Sequence, residues 1–176
     1  MKFTETPLAG AYVVEVERRE DDRGFFGRTF CEREFAALGL ISRFVQCNVS
    51  YNRRRGTVRG MHYQADPYPE IKLVRCTTGA IVDAIVDLRP ESPTHRRWFS
   101  VELSAENHRA LYIPAGMAHG FQTLADDVEV LYMMSEYYHG DLARGVRWND
   151  PAFDLAWPEP ITVIADKDLA FPDYKP

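Results

Sequence analysis

Cysteine is scarce: Cys31, Cys47 and Cys76 are all there are, odd in number and far apart. They form no C-x-x-C pair of the kind that holds zinc and no even set for a disulfide framework, so three reduced, buried thiols are expected. No apolar run approaches the ~20 residues that cross a bilayer as a helix. The opening MKFTETPLAGAYVVEVERRE lacks the long apolar core of a secretory signal, and a cytoplasmic setting is expected. Net positive charge is missing too. The formal balance is -5, which argues against a nucleic-acid binder. No internal repeat, low-complexity tract or linker interrupts the chain. What remains is 176 residues of ordinary apolar and charged content, suited to a single domain over 1–176 with a real core.

Helical pattern is nearly absent. Only CEREFAALG (31–39) carries it, with Phe35 and Leu38 on one face and Gly39 as its stop. Strand patterns fill the rest: 11–17, 42–51, 57–64, 71–78, 80–89, 98–104, 110–124 broken by a tight turn at Pro114 and Gly116, and 128–138. A turn is expected at Glu20–Gly24, the prolines of ADPYPE break the chain after Gln64, and everything past Gly145 reads as loop. Many short strands between Gly and Pro turns, with few and short helices, predict an all-β antiparallel sandwich or barrel.

Positive charge, missing overall, is concentrated between Asn48 and Cys76. Arg53, Arg54, Arg55, Arg59 and Lys72 surround His62 there. Cations crowded beside a titratable base suit an anionic substrate with a proton to remove, although a solvated basic face on an edge strand has the same composition. Arg59 and His62 are three apart, so a regular strand would turn them to opposite faces. Gly60 between them is a place for a bulge that resets the alternation.

P-x-G-x-x-H at Pro114–His119 resembles the second motif of the cupin jelly-roll superfamily, where the histidine often binds a metal. The first cupin motif has H-x-H and a glutamate; here the matching region is His62-Tyr63-Gln64 with Glu70, one histidine short. His62, Glu70 and His119 are the metal set this leaves, against the three well-placed ligands a catalytic site needs.

Further motifs fit a narrower family: D-x-R-G-F-F (21–26), Q-x-N-x-S (46–50), R-G-M-H-Y-Q (59–64), K-L-V-R-C (72–76) and V-D-L-R-P-E-S-P-T (86–94). A-H-G-F (118–121), Y-x-x-S-x-Y-Y (132–138), N-D-P (149–151) and W-P (157–158) complete the set. In this order and spacing, from about residue 1 to 172, the chain resembles the dTDP-4-dehydrorhamnose 3,5-epimerase family of cupin-fold nucleotide-sugar enzymes.

The resemblance implies a jelly roll, a likeness in chemistry and a set of roles. The chemistry is proton removal from carbons 3 and 5, beside the ketone at carbon 4 of a nucleotide-linked 6-deoxysugar, and return of a proton on the other face. It uses no metal and no redox cofactor, but it does need a base, an opposing acid and a cation for the enolate oxygen. His62 matches the base, Lys72 the enolate-stabilising cation and Tyr132 the acid; Asp168 matches the carboxylate that orients His62, with Asp166 two residues away as its competitor. For substrate binding the resemblance implies Arg59 on the diphosphate, Gln46 and Asn48 at the base and ribose, and Tyr138 stacked on the base. Arg23 and Phe26 of the D-x-R-G-F-F motif and Lys167 beside Asp168 belong to the same binding set, Arg23 being of the kind lent across a homodimer. His119 and Asp83 would line the pocket in structural or orienting roles. Arg28 stands where many members have glutamate, near the nucleotide end, which leaves the nucleotide open. CDP- or GDP-linked sugars, inversion at one carbon only, a metal-dependent cupin and a non-catalytic sugar-nucleotide binder are the other readings.

Overall fold

In a computed structural model, which describes residues 1–175, strands dominate. In chain order they are β1 (Lys2–Glu5), β2 (Tyr12–Glu15), β3 (Arg19–Asp21), β4 (Gly24–Phe26), β5 (Gln46–Asn52), β6 (Val58–Gln64) and β7 (Lys72–Thr78). Then come β8 (Ala80–Asp87), β9 (Trp98–Ser104), β10 (Ala110–Ile113), β11 (Met117–Thr123), β12 (Val128–Met134) and β13 (Ala143–Gly145). The helices are α1 (Glu32–Ala37) and α2 (Asp166–Leu169).

Two antiparallel sheets face each other, as a jelly roll requires. One is six-stranded in the order β1-β2-β10-β7-β12-β5, the other five-stranded in the order β13-β6-β11-β8-β9, and β3 and β4 form a separate hairpin. Alternation along each strand sends one set of side chains between the sheets. Val74 and Cys76 of β7, Leu111 of β10 and Val130 of β12 meet Ile81 and Ile85 of β8 and Phe121 of β11 in the main core. The opposite parity is covered separately. Phe35 of α1 packs with Leu73 and Tyr112 on the back of the six-stranded sheet, and Val146 and Phe153 pack with Met61, Ala84 and Ala118 behind the five-stranded one.

The expected helix and most strands are present with small changes of boundary. Gly39 closes α1 at φ +70, a left-handed conformation for which glycine carries no Cβ penalty. Residues 42–45 and 135–138 leave the ladder that their pattern suggested, because Met134 is the last residue of β12 paired with β5 and Gln46 is its partner. β1, β13 and α2 are additions, and the turn expected at Glu20–Gly24 is flanked by two short strands, β3 and β4, that were not expected. The thiols need a correction: Cys76 is buried, but Cys31 is half-buried and Cys47, on the edge strand β5, is exposed.

Candidate active site

A cavity of about 500 Å³ opens between the sheets, lined from both. Pairing explains which residues face it. Lys72 lies opposite Met134, and Tyr132 lies opposite both Val74 and Asn48, so Asn48, Lys72, Tyr132 and Met134 share the inner face of the six-stranded sheet. Across the gap, His62 of β6 and His119 of β11 are register partners on the five-stranded sheet and line the facing wall.

Arg59 reaches the same cavity as His62 because β6 is irregular between them. Opposite β11, Phe121 pairs with Arg59 and His119 with His62, so three steps on β6 match two on β11. That is the bulge the sequence left room for at Gly60. Gly60 has φ +128, and a Cβ there would stand 2.5 Å from Gly120 Cα. Two glycines face each other where β6 and β11 leave no room for a side chain. The Gly60 N–H, freed from the ladder, donates to Asp168 Oδ2 at 3.2 Å.

Asp168 is brought under His62 by α2. His62 Nε2 lies 2.7 Å from Asp168 Oδ1, and the carboxylate is buried. Asp166, the competitor, is exposed on the same short helix. Burial works against the charge of Asp168, but the hydrogen bond and charge of His62, the Gly60 N–H and Lys167 outweigh it and hold the carboxyl below its ordinary pKa. A second pair lies beside the first: His119 Nε2 is 2.7 Å from Asp83 Oδ1. The two histidines differ in access. The His62 side chain is 36% exposed, open to the cavity, and that of His119 only 7%. Phe171 flanks the His62 ring at 6.0 Å between centroids.

Lys72 is held on the other wall. Its Nζ pairs with Glu70 Oε1 at 2.9 Å and reaches the His62 carbonyl at 3.4 Å, with both side chains of the ion pair largely buried. Glu70 Oε2 has no hydrogen-bond partner among the described residues. The metal set drawn from the sequence therefore does not converge. His62 and His119 turn Nε2 to Asp168 and Asp83, Glu70 turns to Lys72, and among the described residues no three His, Cys, Asp or Glu side chains are grouped to hold a metal ion.

A family model described as dTDP-4-dehydrorhamnose 3,5-epimerase matches residues 5–175. The chain belongs to this family. It is 43% identical over 170 residues to the dTDP-4-dehydrorhamnose 3,5-epimerase of Methanothermobacter thermautotrophicus, covering 95% of this chain and 91% of that one. The crystal structure of the Elizabethkingia anophelis NUHP1 enzyme of the same name superposes with a TM-score of 0.96 at 36% identity, over 99% of this chain and 96% of the other. The dTDP-6-deoxy-D-glucose-3,5-epimerase of Legionella pneumophila, solved in complex with dTDP-4-keto-L-rhamnose, superposes with a TM-score of 0.89 at 33% identity, covering 99% of both chains.

Among the residues that the epimerase resemblance implied, His62, Lys72, Tyr132, Asn48, Arg59, His119, Tyr138 and Lys167 line one cavity. Arg59 is braced by Asn52 Oδ1 at 2.7 Å and the Tyr51 carbonyl. Asp83 and Asp168 do not line the cavity but lie buried behind His119 and His62, so Asp83 is not the expected lining residue. Three further residues stand elsewhere. Arg23 and Phe26 sit on the β3–β4 hairpin, strongly exposed and outside the cavity of their own chain, with Arg23 paired to Asp21. Gln46 is also outside the lining: its Oε1 accepts the Tyr138 N–H at 2.8 Å, so it touches the site through the backbone of another residue. Of the arginine cluster only Arg59 belongs to the cavity. Arg53, Arg54 and Arg55 are exposed in the β5–β6 turn, and Arg55 pairs with Glu159. Arg144 and Phe171 line the cavity unforeseen. They lie past the last strong strand pattern, where nothing local marks a residue that folds back onto β6.

Proposed function

We propose that the protein is an isomerase that epimerises a dTDP-linked 4-keto-6-deoxyhexose at carbons 3 and 5, converting dTDP-4-dehydro-6-deoxyglucose to dTDP-4-dehydrorhamnose. The carrying observation is the pairing of walls: a cavity-facing histidine with a buried carboxylate behind it on one sheet, a tyrosine and a lysine on the other. The ketone acidifies the hydrogens on both neighbouring carbons. Because Nε2 of His62 is turned to Asp168, Nε2 carries the proton of the neutral ring and Nδ1 is the basic nitrogen. Nδ1 takes the hydrogen from carbon, and the electron pair moves onto the ketone oxygen as an enolate. Asp168 orients the ring and stabilises the imidazolium, as a buried acceptor does in other His–Asp pairs. Lys72 faces the enolate oxygen, where a largely buried, fixed cation lowers the barrier by several kcal/mol. Tyr132, from the facing wall, protonates the carbanion on its other side and regains its proton from solvent. This sequence calls on no metal and no redox cofactor.

The cavity also carries Arg59, Arg144 and Lys167, and these favour an anionic group at its mouth. Arg59 serves the diphosphate, Tyr138 stacks on the base and Asn48 lies with them. Arg23 and Phe26 serve the site of a second copy, which makes the protein a homodimer. The whole chain acts as one domain in the cytoplasm. Among the described residues no helix is long and apolar enough to cross a membrane.

The test is proton exchange. The protein is incubated with dTDP-4-keto-6-deoxyglucose in deuterated water, with and without chelator, and carbons 3 and 5 are followed by NMR. Deuterium at both carbons in the presence of chelator is expected. Label at one carbon makes the protein a single-centre epimerase. No label in either condition overturns the reading, and CDP- and GDP-linked ketosugars are then the next substrates.

A further inference from the structure

Tyr138 is 66% exposed, so side-chain packing does little to fix it. Its backbone is fixed instead. Beyond Met134 the chain has left the β12–β5 ladder, and its amides and carbonyls need other partners. Two glutamines supply them. Gln46 Oε1 accepts the Tyr138 N–H at 2.8 Å. Gln64, 3% exposed, donates from Nε2 to the Tyr137 carbonyl at 3.0 Å and accepts the His139 N–H at Oε1, 2.8 Å. Its Nε2 also donates to the Tyr68 carbonyl at 2.6 Å, tying in the loop that leads to Glu70 and Lys72. The Tyr68 ring lies flat on His139, 4.4 Å between centroids and 13° between planes.

Thus Tyr137, Tyr138 and His139 each give one backbone group to a glutamine. The glutamines come from opposite sheets, Gln46 beginning β5 and Gln64 ending β6. Of the neutral side chains only an amide combines two N–H donors with a carbonyl acceptor, and Gln64 uses both functions at once.

We propose that Gln46 and Gln64 are positioning residues for the nucleotide end of the site: they bracket Tyr138 from both sheets and pre-set its ring for stacking. The inference rests on the dTDP-sugar reading, in which Tyr138 meets the base. An aromatic on a free loop loses conformational freedom when it binds, whereas a bracketed one has lost it beforehand, so the bracket strengthens affinity beyond any contact the two amides make themselves. It acts on binding and not on proton transfer.

The experiment measures Kd for dTDP by calorimetry, and kcat and KM with dTDP-4-keto-6-deoxyglucose. The variants are Gln46→Ala, Gln46→Glu, Gln64→Ala, Tyr138→Ala and the double variant Gln64→Ala/Tyr138→Ala. Each single alanine at a glutamine is expected to raise Kd and KM about five- to tenfold, the size of one net hydrogen bond, with kcat nearly unchanged. Gln46→Glu keeps the acceptor oxygen and retains most of the affinity. In the Tyr138→Ala background, Gln64→Ala adds little, because the ring it positions is gone. Equal losses with and without Tyr138, a fall in kcat at constant KM, or unchanged dTDP affinity in both alanine variants each overturn the inference. If Gln64→Ala does not fold, Gln46→Ala is compared with and without Tyr138→Ala instead: a loss that disappears once the ring is gone supports the inference, and an equal loss in both backgrounds overturns it. An unmutated protein that does not bind dTDP overturns the functional reading and this inference together; one that binds, with affinity indifferent to both glutamines, overturns this inference alone.

Discussion

At the scale of single residues, the proposed base His62 and the carboxylate behind it make the sharpest demands. Asp168→Asn turns an amide toward His62, and its N–H favours the tautomer with Nδ1 protonated, which cannot accept a proton from carbon. We expect kcat to fall by about 10²–10⁴, the range of a lost acid–base contribution, with dTDP affinity kept. Tyr132→Phe should also bind, yet fail to complete inversion at one or both carbons while exchange driven by His62 continues. Full turnover by this variant would remove Tyr132 from the acid role. His62, Lys72 and Tyr132 were legible because family motifs surround them. Asp168 was legible only as one of two acids, since choosing between Asp166 and Asp168 needs the turn of α2 that buries one and exposes the other. The hydrogen bonds of Gln46 and Gln64 to the Tyr137–His139 backbone were not legible, because those partners are up to 92 residues away.

At the scale of elements, the β6 bulge is the feature on which the site depends. Gly60→Ala places a methyl group 2.5 Å from Gly120 Cα at a backbone angle of +128°, so stability should drop by at least about 2 kcal/mol in urea denaturation. An alanine variant with native stability and activity would show that the bulge tolerates a side chain. The loop after β8 carries a second demand. Asp87 is fully buried, and burial disfavours its charge, but hydrogen bonds from Arg89, Ser92 and Thr94 bring its pKa down from 3.8 to about 2. A folded-state pKa below the unfolded one means stabilisation that is complete above 3.8 and lost as pH falls toward about 2. Its size is about 2 kcal/mol at neutral pH. The gap in urea stability between the unmutated protein and Asp87→Asn should therefore narrow across that acid range; a gap independent of pH would contradict it. Strand patterns identified nearly every ladder element. β1, β3, β4, β13 and α2 escaped because KFTE, RED, GFF, ARG and DKDL are short, with no run of alternating apolar residues to announce them.

At the scale of the whole molecule, one chain leaves two parts of the implied site unmet. Arg23 and Phe26 project from the β3–β4 hairpin, and β5 is an uncovered sheet edge bearing exposed Val49 and Tyr51. An edge with apolar side chains is a place for a second chain. Light scattering at micromolar concentration should give twice the 20.2 kDa chain mass, and a monomer there would contradict the homodimer. The jelly roll itself was legible from the strand count and the cupin-like turn at Pro114–His119. Which surface a second copy would cover was not, because exposure appears only once the strands are ordered.

His62 and Tyr132, the proposed base and acid, hang from facing sheets, and Phe121 belongs both to the packing between those sheets and to the wall of the cavity. The reach from one proton carrier to the other is thus gauged by the thickness of the oily filling, about 10 Å in a sandwich of this kind. The greasy interior works as a calliper: whatever swells or thins it resets the span over which a sugar ring must be handed from one face to the other, and with it how faithfully the stereochemistry turns over.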